Sequence, residues 1–328
     1  MLNRRILRIK AFKTLYSYAL DPTLTLAEAE SQLERSCEST RSLYLFMLSV
    51  IPALTAEART RIEEASRKFH PTEEERNPNL KFVRNALAPV LEDDPDFQKA
   101  LSRVKLSWEQ YDAFLRALYE SVRSKEYFAE YMADPDTSLG RDVRLFIRIF
   151  EEEFVDSAAL ADILEELSIW WNDDLAYALT CCCDTLKDLA RGERWSLPPL
   201  YRSEMTGAPD SDKAFVFRLL RSSYALFDKY FAMVADRVPS WEKERLFTTD
   251  MVLIVMGLAE AKTFPDMPLR VTLNEYVEIS KYYSTPKSRS FVNGLLDSLI
   301  RSLMEEGEIV KTERLDVPAE KPKKDTNQ

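Results

Sequence analysis

Apolar positions recur at three- and four-residue spacing along almost the whole chain, the periodicity of helices that bury one face. The pattern predicts helices over 5–20, 25–37, 40–69, 80–90, 95–104, 107–132, 139–154, 157–168 and 171–190, then over 211–237, 240–262, 269–283 and 286–305. Turn chemistry punctuates them. Asp21-Pro22-Thr23 stops the first helix, because a residue before proline is pushed out of the helical region. Ser107 ahead of Trp108-Glu109-Gln110 reads as a capping box, and Asp134-Pro135-Asp136 with Ser138 separates two helices. Ser284 or Thr285 caps the last helix with Pro286 in its first turn, and Gly307 ends it. The stretch 192–212, with Pro198, Pro199 and Pro209, reads as a linker, and 311–328 reads as a disordered tail. The segments 42–64 and 213–236 share an apolar rhythm, but no internal repeat stands out.

Composition agrees with an all-α chain. Only six of 328 residues are glycine, against about 7% in ordinary proteins, so few positions suit hairpins, phosphate-cradling loops or strained turns. The length exceeds what one hydrophobic core usually serves, which predicts two lobes or one domain with a large insertion. Net charge is −10, unevenly spread. Residues 1–13 hold Arg4, Arg5, Arg8, Lys10 and Lys13 and no acid, whereas 151–184 hold ten Asp and Glu and no Lys or Arg. A polyanion is attracted to the first segment and repelled by the second.

Signals for catalysis are sparse. No Walker loop, GxGxxG, HExxH, GxSxG or CxxC is present. The single histidine, His70 beside Pro71, argues against His-based metal sites and most Ser/His or Cys/His arrangements. Cys181, Cys182 and Cys183 project about 100° apart on a helix, so with Cys37 they read as small buried residues of a reduced compartment. Trp170-Trp171 ahead of Asn172-Asp173-Asp174 reads as one buried and one partly covered ring, with a partner surface as the sharper alternative. The longest apolar run, 251–259, is too short to span a bilayer, so a cytoplasmic protein without metal or cofactor is expected. On the first helix Leu7, Ala11, Thr14 and Tyr18 share one face, and Arg4, Arg5 and Arg8 project from a neighbouring arc. Such an arc suits phosphates, with Tyr16 as an aromatic platform; a solvated helix paired with the acidic body is the plainer reading.

Residues 250–297 carry Asp250 before an apolar helix, Glu260 near its end, Pro268, Val271, Asn274-Glu275, Glu278 and Lys281. Phe291-Val292-Asn293-Gly294 and Leu296-Asp297 follow. This segment resembles the C-terminal region of the bacterial transcription antitermination factor family NusB. The first helix matches as well, with Arg4-Arg5, Arg8, Ala11, Leu15-Tyr16-Ser17 and Leu20 on the family's arginine-rich pattern. Lys287 stands where an acid is frequent and Arg289 where His is common; both add positive charge near a helix start.

The resemblance implies a NusB-like helical bundle formed by 1–20 and 211–310, with 21–210 as a helical insertion or an enlarged N-terminal subdomain. It implies an RNA-binding antitermination factor, not an enzyme, that binds boxA-type RNA of ribosomal transcripts together with NusE in the RNA polymerase complex. RNA contacts are expected at Arg4, Arg5, Arg8, Lys10, Tyr16, Lys287 and Arg289, and NusE contacts at Asp250 and Glu260. Two rivals are an acidic interaction scaffold with incidental RNA binding and the RNA-binding module of a ribosomal RNA methyltransferase system; the Gly-rich cofactor loop that a methyltransferase itself needs is missing. Gly294 is expected to mark a close helix approach and Asn274 to be a buried tie between helices.

Overall fold

A computed structural model describes residues 1–201, 211–238, 247–286 and 288–312. The first half of the chain contains α1 (Arg4–Leu20), α2 (Leu26–Leu48), α3 (Val50–Ser66), α4 (Glu73–Arg76), α5 (Leu87–Glu92), α6 (Pro95–Val104), α7 (Asp112–Arg123) and α8 (Glu126–Ala133). It continues with α9 (Leu139–Ile149), which widens into a π-type turn at Phe150–Phe154, α10 (Ala158–Leu167) and α11 (Leu175–Ala190). The second half contains α12 (Asp212–Ala225), α13 (Phe227–Arg237), α14 (Thr248–Thr263), α15 (Leu269–Tyr283) and α16 (Ser288–Glu305). The protein is all-α. Among the described residues the sole extended pairing is an isolated bridge between Leu2 and Tyr201. Among the described residues no helix is long and apolar enough to cross a membrane.

Most predicted helices are present, and the differences have local causes. The predicted break near residue 38 is absent; α2 runs on to Leu48, and the chain breaks at Ser49. Pro52 explains the position, since its ring clashes with the carbonyl four residues back and is tolerated only in a first turn. The predicted helices 107–132 and 211–237 are each divided, at Ser124-Lys125 and at Leu226, where no Gly or Pro gives warning. Ser138 accepts from the Arg141 amide as a helix cap, whereas Ser107 accepts from the Glu109 amide two residues on and does not form the predicted capping box. The start of the predicted 240–262 helix lies outside the described residues, as do residues 202–210 of the 192–212 connection.

The chain forms two compact units, one of Leu2–Glu34 with Tyr201–Gln328 and one of Arg35–Leu200 with Met1. The unit that holds α1 thus also takes in residues 21–34. In the Arg35–Leu200 unit a large aromatic core holds the helices together. Phe46 stacks on Trp108 with centroids 4.1 Å apart, and Phe82 packs with Tyr119, Phe128 and Phe146. Trp171 is buried and donates to the Ser39 carbonyl, whereas Trp170 is half-buried with Arg35 over its ring. Cys37, Cys182 and Cys183 are buried, and burial pushes the Cys182 and Cys183 thiols up, which makes them inert packing residues. His70 lies exposed in the loop after α3. Among the described residues no cluster of His, Cys, Asp or Glu forms a metal cage.

In the other unit α14 is the axis. Every residue from Asp250 to Ala261 is buried, as a helix apolar all round must be, and α1, α12, α13, α15 and α16 pack about it. Close approach occurs at Gly257, where a Cβ would lie 2.7 Å and 2.8 Å from the Leu296 methyls and 3.3 Å from the Tyr276 ring. Gly294, expected to mark such an approach, is exposed with open space beside it, and Asn274 is exposed rather than a buried tie. The motif's buried positions are Val292 and Leu296. Beyond α16, Gly307 adopts φ 75°, and the Glu308 amide bonds the Leu303 carbonyl at 2.8 Å, closing the helix. The Glu308 carboxylate then accepts from Lys229 at 2.6 Å, Lys262 at 2.8 Å and Tyr230 at 3.0 Å, tying α13 and α14 to the end of α16. The start of the predicted disordered tail is also tied down: Lys311 donates to the carbonyls of Phe264 and Met267. Residues 313–328 of that tail lie outside the described residues.

Gly294→Ala should gain up to about 1 kcal/mol of helix propensity, whereas in Gly257→Ala overpacking against Leu296 should outweigh that gain and leave a net loss of about 1 kcal/mol; urea denaturation of both variants checks this. The hydrogen bond from Lys229, followed by that from Lys262, lowers the Glu308 pKa to about 2. Its contribution is therefore complete above the unfolded-state value of about 4.3 and is lost as pH falls from there towards 2. Glu308→Gln should lower Tm by a few degrees at pH 7, with the gap to the parent closing on acidification through that window.

Candidate nucleic-acid interface

The charge asymmetry at the N-terminus becomes a surface because α1 starts abruptly. The Asn3 side chain accepts from the Ile6 amide as N-cap, and Leu7, Ala11, Phe12 and Leu15 face the core. With that face buried, Arg4 and Arg5 stand at the rim, their side chains 44% and 49% exposed. Each is held by a carboxylate. Arg4 Nε meets Asp212 Oδ1 at 3.1 Å, and Arg5 forms a fork with Glu275 at 3.0 Å and 2.7 Å. The Arg5 hydrogen bond is the main reason the Glu275 carboxyl lies below its usual range.

Arg8 differs from its neighbours. The residue is 2% exposed, and its guanidinium grips Glu260, itself fully buried, through Nε at 2.7 Å and Nη2 at 2.9 Å. Thr272 at 2.9 Å and Tyr276 at 3.1 Å donate to the same carboxylate, so its lone pairs are well used. Burial alone would lower the Arg8 pKa, but the charge and hydrogen bonds of Glu260 raise it overall. Lys10 is also buried. The structure thus places Arg8 and Lys10 inside, where neither offers its charge to RNA as the sequence reading expected.

The expected partner contacts move inward in the same way. Glu260 is the counter-ion of Arg8, and Asp250 is buried and accepts from the Ser284 hydroxyl at the end of α15. Both are ties within the helical unit in this structure, and neither presents a surface to a partner. A carboxylate near each end of an apolar helix looks the same in sequence whether it faces a partner or an internal donor, which is why the two readings were not separable.

Tyr16 and Arg289, the other expected contacts among the described residues, stay on the outside. Tyr16 is half-exposed, with its ring 6.2 Å from Phe12, and Lys13 lies 5.8 Å from the Tyr283 ring. Arg289 is exposed in the first turn of α16; Lys287 lies outside the described residues. Glu278 connects the two basic groups electrostatically, since after its hydrogen bond from Lys281 both Arg5 and Arg289 also lower its pKa. Arg5 meets Glu275 of α15, and α15 packs against α16, whose first turn carries Arg289. Sequence reading missed Arg218 of α12, Phe215 beneath Arg4 and Arg8, and Phe264 after α14. Only the one-turn spacing of Phe215 and Arg218 hinted at a shared helix face.

Comparison with known proteins matches this unit. The NusB family model matches residues 193–301, which takes in α12 to α15 and most of α16. A transcription antitermination protein NusB of Dictyoglomus thermophilum is 32% identical over 108 residues, covering 33% of this chain and 74% of the relative. The chain belongs to the NusB family. Namesakes from Chloroherpeton thalassium and Salinibacter ruber are 34% and 32% identical over 111 and 104 residues. The chain spans 53% and 65% of their lengths, and these matches cover 33% and 32% of its own. No solved structure matches it. In this NusB-family chain, α1 to α11 fall outside the stretch that the family model matches.

The buried pair is open to test. Glu260→Ala leaves the Arg8 guanidinium desolvated without a counter-charge and should cost about 3–5 kcal/mol in urea denaturation, whereas the double variant Arg8→Met with Glu260→Met should recover most of that loss.

Proposed function

We propose that this protein is an RNA-binding transcription antitermination factor whose RNA surface runs from the α1 rim to the start of α16. The observation that carries the reading is the half-exposure of Arg4 and Arg5, steered at the α1 rim by Asp212 and Glu275, together with exposed Arg289 in the first turn of α16. Arg289 and the N–H edges that Arg4 and Arg5 keep outside their carboxylate contacts can meet phosphate oxygens, and a half-exposed Tyr16 offers a face for an unstacked base, so a single-stranded segment is the RNA form that fits. Family membership supports the antitermination role, since the relatives' names state it. The finer reading is boxA-type RNA of ribosomal transcripts, bound together with NusE within the RNA polymerase complex, by a protein that binds and does not catalyse. Residues 1–20 with 211–310 form the antitermination domain in this reading, and 21–210 are an addition to it.

Because Arg8 and Lys10 are buried, the test falls on the exposed cations. Charge reversal of Arg5 together with Arg289 should weaken binding of a boxA-like RNA by at least about tenfold and flatten the salt dependence by about one unit for each phosphate that is no longer neutralised. Filter binding across a salt series reads both quantities. Unchanged affinity and slope would remove the assigned surface. Gel filtration with cognate NusE, with and without that RNA, tests the partnership: a ternary peak is expected, and its absence would count against NusE.

A further inference from the structure

Beside the α1 arginines, the same helical unit opens a cleft of about 630 Å³ bordered by the start of α1, by α12 and by the connection from α14 to α15. Two aromatic rings form its floor, Phe215 and Phe264, with centroids 5.0 Å apart. Guanidinium groups close both ends of this pair. Arg4 and Arg8 lie 4.9 Å and 5.0 Å from the Phe215 centroid, and Arg218 lies 5.1 Å from that of Phe264.

The four arginines are not equivalent. Arg4, Arg5 and Arg8 each face a carboxylate, so much of their charge is already answered. Arg218 is exposed, donates through Nη2 to the Thr263 carbonyl at 2.8 Å and, among the described residues, carries no ion pair. One carbonyl takes one of its five N–H donors, which leaves an edge of the fork for another acceptor. The Phe264 ring and the Thr263 carbonyl together orient it without neutralising it. Of the two acids on the cleft wall, Glu275 is engaged by Arg5 and Asp266 accepts from Thr312. The cleft therefore offers an oriented cation above a half-buried apolar floor of Phe264 and Pro265, within the size range of small-ligand sites.

We propose that this cleft receives one unpaired nucleotide of the bound RNA, its phosphate on the outward edge of Arg218 and its base against Phe264 and Pro265. The inference rests on the reading of the α1 rim as an RNA surface and extends it to a pocket. Stacking on an aromatic floor accepts any base, so the pocket adds affinity and fixes where the strand lies without selecting a sequence.

The test uses the full chain and a fluorescein-labelled, unstructured 12-nucleotide RNA followed by anisotropy across a salt series. Arg218→Ala should weaken binding about tenfold and reduce the salt slope by about one, with Tm unchanged, while Arg218→Lys should keep most of the slope. A 2-aminopurine placed in the RNA should be quenched on binding by stacking, and Phe264→Leu should relieve the quench at one probe position. If Arg218→Ala binds with parent affinity and slope while the Arg5 and Arg289 reversal weakens binding, the pocket is wrong and the surface reading survives. If the unmodified protein binds no RNA, the surface reading falls and the pocket with it.

Discussion

The guanidinium of Arg8 lies inside the α14-centred unit because Glu260 faces it there, with Thr272 and Tyr276 completing the carboxylate's hydrogen bonds. Two opposite charges withdrawn from water cost several kcal/mol each unless they meet in good geometry, so α1 cannot shift or rotate on α14 without exposing that penalty. The register of α1 is fixed by this pairing, and with it the places of Arg4 and Arg5 on the rim. Arg5 meets Glu275 one turn of α15 away from the buried Thr272, and Arg4 meets Asp212 at the start of α12. A single interior pair thus sets the positions of the exterior cations, which is the condition for a surface that recognises phosphate spacing rather than charge alone.

Much of the fold was legible in the sequence, since low glycine content and helical periodicity are properties of whole segments. Breaks were legible where chemistry forces them, as at Pro22 and Pro135, and illegible at Ser124 and Leu226, where helices end because their neighbours turn rather than because a residue cannot continue. The candidate site was legible in part. The arginines of α1 were visible as a group, but one-dimensional spacing does not reveal that Arg8 points towards a carboxylate 252 positions away. The same limit misplaced the glycines. Gly294 sits within a recognisable motif and Gly257 within an anonymous apolar run, yet it is Gly257 that lets Leu296 and Tyr276 approach α14. Arg218 was missed because nothing local separates it from any solvated helical arginine; its meaning comes from Phe264 and Thr263, which another helix delivers.

The two units are built on different principles. The Arg35–Leu200 unit buries rings in quantity, with stacked and edge-on pairs among Phe46, Trp108, Phe114, Phe150 and Phe154, and the charged residues it buries, Asp94, Asp142 and Asp174, are all carboxylates. The α14-centred unit buries charges of both signs, at Arg8, Lys10, Asp212, Asp250 and Glu260. An aromatic core confers stability and leaves few chemical traces of purpose, and the acidic stretch 151–184 is mostly solvated surface. A buried polar network is costly to keep and fixes one arrangement, which is why the second unit speaks more plainly about its work.

The discontinuity of the α14-centred unit carries a consequence for how the molecule is made. Arg8 leaves the ribosome before Glu260, which follows 252 residues later, and at roughly 5–20 residues per second that delay is on the order of tens of seconds. The Arg35–Leu200 segment is complete in the meantime and can collapse on its own aromatic residues. During that interval α1 is a basic amphipathic segment whose apolar face has no α14 to cover it, and closing so long a loop carries an entropic cost that grows only slowly with length. Maturation of this unit is therefore a late, long-range closure, and the Arg8–Glu260 pair is the contact that records its completion.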